Sequence, residues 1–331
     1  MKNTKLFRLL SSLSNEERAA FKLWYARNTQ DRNTSTSDLL AFLLKAVGQH
    51  KRGQLEKARV FASVYPGRQF SGDYLRKQTY VLFQALKTWL VSRRVNSGLE
   101  QDIGFLQELQ HRKLDRDFQL LSDQIAGELA KTEQRDTHYF WMSQVFNRER
   151  DIVFGRMQER RYDPAIQEQS EALDRYFIIQ KLRLACEMRN RNRIIEAKYE
   201  AAFLPEISHL IQSSDEYIEE PAIAIYWQVW QTLQDNSSTQ DYLRLVELLA
   251  NHPKVFDAEE LREIYRYAQN FCIRKINEGK PEFKSHLLTL YQYQLERDLF
   301  LVDGSFPAND FKNIITLGLR LEDYDWVEQF I

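Results

Sequence analysis

The sequence predicts an all-α protein, an irregular α-solenoid of stacked antiparallel helical hairpins, and three observations carry that expectation. Eleven glycines and seven prolines occur in 331 residues, about half the usual share, which disfavours folds that need many tight turns. Good helix formers (Leu, Glu, Gln, Arg, Ala and Lys) take their place. Apolar residues recur at helical spacing, and at 43% of the chain beside 28% charged residues they suffice for a packed core.

Local signals then define the elements. Ser14-Asn15-Glu16-Glu17 is a capping box, Ser14 serving the first turn and Glu17 reaching back. It opens a helix through Phe21, Trp24 and Tyr25 that ends in the polar run from Asn28 to Ser37. The next helix starts near Asp38 and carries Leu39, Leu40, Phe42 and Leu43. A short helix from about Gln54 to Tyr65 stops at Pro66-Gly67. Ser71 to Asp73 caps a long helix with Leu75, Leu82, Phe83, Leu86 and Leu90 on one face and Lys77 and Gln84 on the other. The middle of the chain predicts helices near 99–113, 115–131 and 137–161. Asp163-Pro164 reads as an N-cap and a first-turn proline. The helix it opens is expected to reach about Arg189 and to break at Asn190-Arg191-Asn192. Leu204-Pro205 and Pro221 mark two more starts.

The last third is the most regular. Tyr242, Leu245, Val246 and Leu249 form one apolar stripe, and Leu261, Ile264, Tyr265, Ala268 and Cys272 form the next. Phe283, Leu287, Leu290 and Tyr291 continue the series, as do Phe311, Ile314, Ile315, Gly318 and Leu319. Short connections predict that neighbours pack antiparallel. The segment from Phe311 to Ile331, with Leu321-Glu322-Asp323-Tyr324-Asp325-Trp326-Val327 at its turn, resembles the start of a tetratricopeptide-type repeat. Phe311, Ile314 and Tyr324 match that pattern. Ile315 and Glu322 stand where the family places glycine, and Val327 where it places alanine. The resemblance covers about 20 residues, and no period of about 34 residues runs through the rest. The block from Val60 to Leu90, with Tyr65-Pro66-Gly67 and Tyr74-Leu75-Arg76, is similar to uncharacterised all-helical proteins of Bacteroidetes-type bacteria, which implies no activity. Phe330 and Ile331 are apolar where a polar capping helix would close an array, so the array is expected to continue beyond residue 331.

Three regions follow: a basic helical region over 1–95, a central long-helix region over 96–213, and tetratricopeptide-like repeats over 214–331. The net charge of −1 conceals a gradient. Residues 1–100 hold 18 Lys/Arg against 7 Asp/Glu, residues 101–200 hold 17 against 18, and residues 201–331 hold 11 against 22. No window of about 18 apolar residues exists to cross a membrane. The N-terminal run Leu6-Phe7-Arg8-Leu9-Leu10 is too short and interrupted for a secretory signal. Cys186 and Cys272 occupy apolar-facing helix positions and read as buried reduced thiols. A cytoplasmic protein is the expectation.

Motifs for chemistry are sparse. The glycines form no phosphate-cradling loop, Gly279-Lys280 runs into proline, and no nucleophile elbow, H-E-x-x-H or paired C-x-x-C occurs. No cofactor is implied. Glu108–His111 and Glu206–His209 are two Glu-x-x-His spacings of the kind that, with two further glutamates, ligate di-iron centres. No well-placed glutamate precedes Glu108, and Glu206 is explained by a first-turn position, so a di-metal carboxylate enzyme is the remote alternative and no metal ligand is assigned. The basic third, with Lys51, Arg52, Arg76, Lys77, Arg93 and Arg94, offers a polyanion or nucleic-acid surface, against which stands a solvated face spread over several helices. Tyr226, Trp227 and Trp230 offer aromatic anchors for a protein or peptide, against which stands interhelical core. The leading expectation is a non-enzymatic scaffold for an unidentified protein or peptide partner.

Overall fold

In the computed structural model every regular element is an α-helix, and no strand forms among the described residues. The structure describes residues 1–28, 34–48, 55–95, 98–157, 160–195, 198–301 and 305–331. The chain divides into two compact units, Met1–Gln101 and Asp102–Ile331.

The first unit contains α1 (Lys5–Ser12), α2 (Asn15–Asn28), α3 (Thr34–Gly48), α4 (Lys57–Val64) and α5 (Gly72–Val95). The predicted capping box closes α2: Ser14 Oγ accepts from the Glu17 amide at 3.1 Å and Glu17 Oε2 accepts from the Ser14 amide at 2.9 Å. Ser71 Oγ accepts from the Tyr74 amide at the start of α5. Gly67 takes a left-handed φ of 80° just past α4, the freedom that a turn after Pro66 requires. α5 is the hub, packed against the other four helices. Its buried Leu75, Leu82, Leu86 and Trp89 share one core with Phe7, Phe21, Tyr25, Leu43 and Phe61, and the Phe21 and Trp89 rings lie 5.3 Å apart. Inside that core Thr36 donates to Gln78 at 2.8 Å, so the one buried amide on α5 has a partner.

The second unit comprises α6 (Leu99–His111), whose first residues precede the division, α7 (Asp115–Lys131), α8 (Thr137–Met157), α9 (Ala165–Ile194) and α10 (Leu204–Ser213). It continues with α11 (Asp215–Ile218), α12 (Pro221–Thr232), α13 (Thr239–Asn251), α14 (Ala258–Asn277), α15 (Phe283–Leu295), α16 (Ala308–Arg320) and α17 (Tyr324–Phe330). From α7 onward, helices adjacent in the chain pack in series, and α12 also meets α9 and α14. One hydrophobic cluster runs from Phe140 to Leu317, across the boundary expected at 213, and includes residues of α8, α9, α10 and α12 to α16. The break expected at 190–192 is absent. α9 runs on to Ile194 because its last turns find partners: Arg191 with Glu187 at 2.5 Å, Arg189 and Arg193 with Asp235, and Asn192 with both backbone groups of Tyr199. Both cysteines are free and buried as expected. Burial pushes both thiols up, Cys272 to about 12, so they stay protonated.

The turn from α16 to α17 is a Schellman motif. The Asp323 amide bonds to Gly318 O and the Glu322 amide to Leu319 O, with Glu322 itself at φ 60°. That is the conformation for which glycine is ordinarily used, at the position where the sequence pattern placed glycine. Among the described residues no helix is long and apolar enough to cross a membrane.

Candidate functional site

α9 presents two apolar faces. Its inner face, Ala165, Ala172, Ile178, Ile179, Leu182, Ala185 and Cys186, is buried. Ile166, Leu173, Phe177 and Leu184 follow at intervals of 7, 4 and 7 residues. At about 100° per residue these four fall within about 40° of one another, on the side away from the core. They are 42% to 62% exposed. Two more aromatics enlarge the surface: Trp141 from α8, whose ring lies 5.5 Å from Tyr176, and Phe203, 6.1 Å from Phe177. Phe203 holds φ 69°, a conformation that a bulky L-residue rarely adopts, and that strained turn sets its ring beside α9. Such a patch exceeds what scattered surface residues supply.

Charge borders the stripe on one side. Asp174 and Lys181 lie seven residues apart, and neither makes an ion pair among the described residues. The Lys181 ammonium lies 5.5 Å from the centre of the Phe203 ring. Partial burial holds the Asp174 carboxyl above its ordinary range, against the pull of Arg175. Other polar groups of α9 are committed to its own unit. Arg175 pairs with Glu216 at 2.7 Å, Glu187 accepts from the Tyr267 hydroxyl at 2.9 Å, and Arg183 lies 3.6 Å from Glu263. These anchors lock the helix from the inner side and leave the outer stripe without a counterpart.

The sequence-predicted residues fall elsewhere. Tyr226 is not a surface anchor: it is 1% exposed, and its hydroxyl donates to Glu260 Oε1 at 2.5 Å. Trp227 and Trp230 are partly buried and pack on the same core. Tyr226 follows the core because α12 is enclosed by α9, α13 and α14, so nearly all its length is interior. Of the basic candidates, Arg76 pairs with Asp73 at 2.8 Å, and Arg93 pairs with Glu17 at 2.9 Å while lying over Trp89. Lys77 is exposed. Lys51 and Arg52 lie outside the described residues, as does the Arg94 side chain. Arg76 and Arg93 sit near opposite ends of α5, about 25 Å apart at 1.5 Å per residue, so they do not form one patch. Glu108 pairs with Arg112 at 3.0 Å, and His111, Glu206 and His209 are exposed. No group of three or more His, Cys, Asp or Glu suited to a metal gathers among the described residues.

The stripe on α9 was readable in principle from its 7-4-7 spacing. A helix apolar on opposite sides has little net amphipathicity, however, and reads simply as a buried helix. No family model matches the chain, and no curated protein and no solved structure matches it either.

Proposed function

We propose that the chain is a non-enzymatic interaction scaffold of stacked, tetratricopeptide-like helical hairpins, whose second unit seats an amphipathic helix of a partner protein on the outer face of α9. The observation that carries this reading is the exposed stripe Ile166, Leu173, Phe177 and Leu184, directly opposite the buried side of a helix anchored by ion pairs at Arg175 and Arg189. A helix laid along such a stripe buries anchors at i, i+3 or i+4 and i+7. Asp174 and Lys181 make no ion pair among the described residues and ask the incoming helix for a cation and an anion about two turns apart. The serial packing of neighbouring helices and the left-handed turn at Glu322 support the hairpin architecture. The basic first third supports polyanion binding less well, since Arg76 and Arg93 are neutralised by Asp73 and Glu17.

The test is site-specific photo-crosslinking in nuclease-treated native lysate, with the photoreactive residue at position 173 of the full chain. The expected product is one protein linked through an amphipathic helical segment, and Phe177→Glu abolishes it while the far-UV circular dichroism is unchanged. Linkage to a second copy of the chain, to nucleic acid, or to a product insensitive to Phe177→Glu would overturn the reading.

A further inference from the structure

A second feature of the larger unit is independent of the α9 stripe. A cleft of about 500 Å³ opens between α7, α8 and α9 beneath the turn into α12, a size typical of small-molecule sites. Its walls are apolar where Leu129, Phe140, Phe146 and Ala172 meet. Into those walls are set polar groups that a helical core does not need.

Glu220 is the most telling of them. It is the residue before α12, yet its side chain makes no capping bond. The residue is 8% exposed, and its Oε1 is buried with no hydrogen-bond partner. Burial pushes its carboxyl above the ordinary range, and Arg135 and Arg175 act against that shift without donating a hydrogen bond to it. A buried carboxylate oxygen with no donor is rare in folded proteins and asks for an explanation.

Donors without acceptors line the same cleft. Ser143 and Asn147 are one turn apart on α8, 8% and 6% exposed. Asn147 Oδ1 accepts from Arg150 at 2.7 Å, while its amide nitrogen and the Ser143 hydroxyl keep contact with solvent and donate to no protein group among the described residues. Arg135, between α7 and α8, lies 5.6 Å over the Tyr139 ring and forms no ion pair among the described residues. The other two arginines differ: Arg150 is held by Glu168 at 2.6 Å and Arg175 by Glu216 at 2.7 Å. The cleft therefore joins a carboxylate with one buried oxygen that accepts no hydrogen bond, a guanidinium that reaches it only through space, and two neutral donors without a protein acceptor among the described residues to an apolar wall.

We infer that this cleft binds a free α-amino acid with an apolar side chain, its ammonium on Glu220, its carboxylate on Arg135, Ser143 and Asn147, and its side chain against Phe140 and Phe146. A simple amine would leave Arg135 unanswered, and a simple anion would leave Glu220 unanswered. A ligand bearing both charges beside an apolar group matches every member of the set, and unpaired polar groups in a site reject analogues that lack their counterpart.

The test titrates the full chain with L-leucine and L-phenylalanine by calorimetry and thermal shift, beside N-acetyl-L-leucine and L-leucinamide. The expected result is saturable binding of the amino acids with a dissociation constant of about 1 mM or lower. Loss of the ammonium or of the carboxylate weakens binding by roughly tenfold or more. Glu220→Gln, close in shape to the native residue, and Arg135→Ala produce the same loss for leucine. Because the derivatised ligands are tested on the unaltered chain, the outcome does not depend on the variants folding. Absence of binding by either amino acid at about 10 mM would overturn the inference. So would binding of leucinamide equal to that of leucine, or binding unchanged by Glu220→Gln. None of these outcomes bears on the α9 stripe, which the crosslinking experiment tests separately.

Discussion

The closest engineered probe of how the helices fit is Gly318→Ala. Gly318 lies on α16 where α17 crosses it, and a β-carbon built there would stand 2.5 Å from Val327 Cγ2 and 3.5 Å from two Trp326 ring carbons. Ordinary carbon contacts fall at about 3.5–4.0 Å, so one of the helices must move by about 1 Å. Val327 has little room to yield, being 4% exposed and β-branched, hence stiff at χ1. Replacing glycine by alanine inside a helix would otherwise gain about 1 kcal/mol, whereas overpacking of this kind costs about 1–3 kcal/mol. The balance is a net loss of up to about 2 kcal/mol. Val327→Ala alone removes two buried methyls and should cost about 1.6 kcal/mol at about 0.8 kcal/mol each. The double variant should then be more stable than the two losses summed, by about 1 kcal/mol or more, because the obstruction is gone. Urea unfolding followed by circular dichroism measures all four proteins. Amide hydrogen exchange over 324–330 separates release of α17, too short to persist alone, from global unfolding. Stabilisation by Gly318→Ala, or additivity within about 0.5 kcal/mol, would refute the close-approach reasoning.

Three other expectations come from the same structure. Glu322→Gly should raise stability by about 1 kcal/mol, since glycine carries no penalty at φ 60°; a loss in the same urea assay would contradict it. Leu182→Ala, on the buried side of α9, should cost about 2–5 kcal/mol, whereas Leu173→Ser on its outer face should stay within about 0.5 kcal/mol; equal losses would mean that the outer stripe is covered within the monomer. Burial raises the carboxyls of Glu220 and Glu260 above their ordinary 4.5, so the native state holds their protons more tightly. Their contribution is fully present below that value and is lost as pH rises through the raised one. The urea midpoint should therefore fall as pH rises above 4.5, and less steeply in Glu260→Gln; a midpoint that rises instead in the unaltered chain would sink the assignment.

How far the fold could be read in advance depends on the range of the interactions involved. Ser14 with Glu17, Ser71 with Tyr74, and the stop at Pro66-Gly67 are settled within four residues of chain, and they stand where the residues indicate. The expected Asp163-Pro164 start is off by one position: Asp163 Oδ1 accepts from the Ala165 amide and Pro164 is the cap. The end of α9 was misplaced because its last turns are held by Asp235, more than forty residues away. Tyr226 was misread for the same reason, since nothing near it in the chain announces that Glu260 will take its hydroxyl.

The candidate sites divide along the same line. Composition and periodicity alone determined that the protein is helical, because helix formation is local in the chain and each apolar stripe is a property of some ten consecutive residues. Only the tertiary structure decided which of the two stripes on α9 is covered, that Glu220 lacks a donor, and that Ser143, Asn147 and Arg135 line its cleft. Burial and pairing belong to residues distant in sequence, and what a side chain can bind depends on which of those distant groups arrive beside it and which do not.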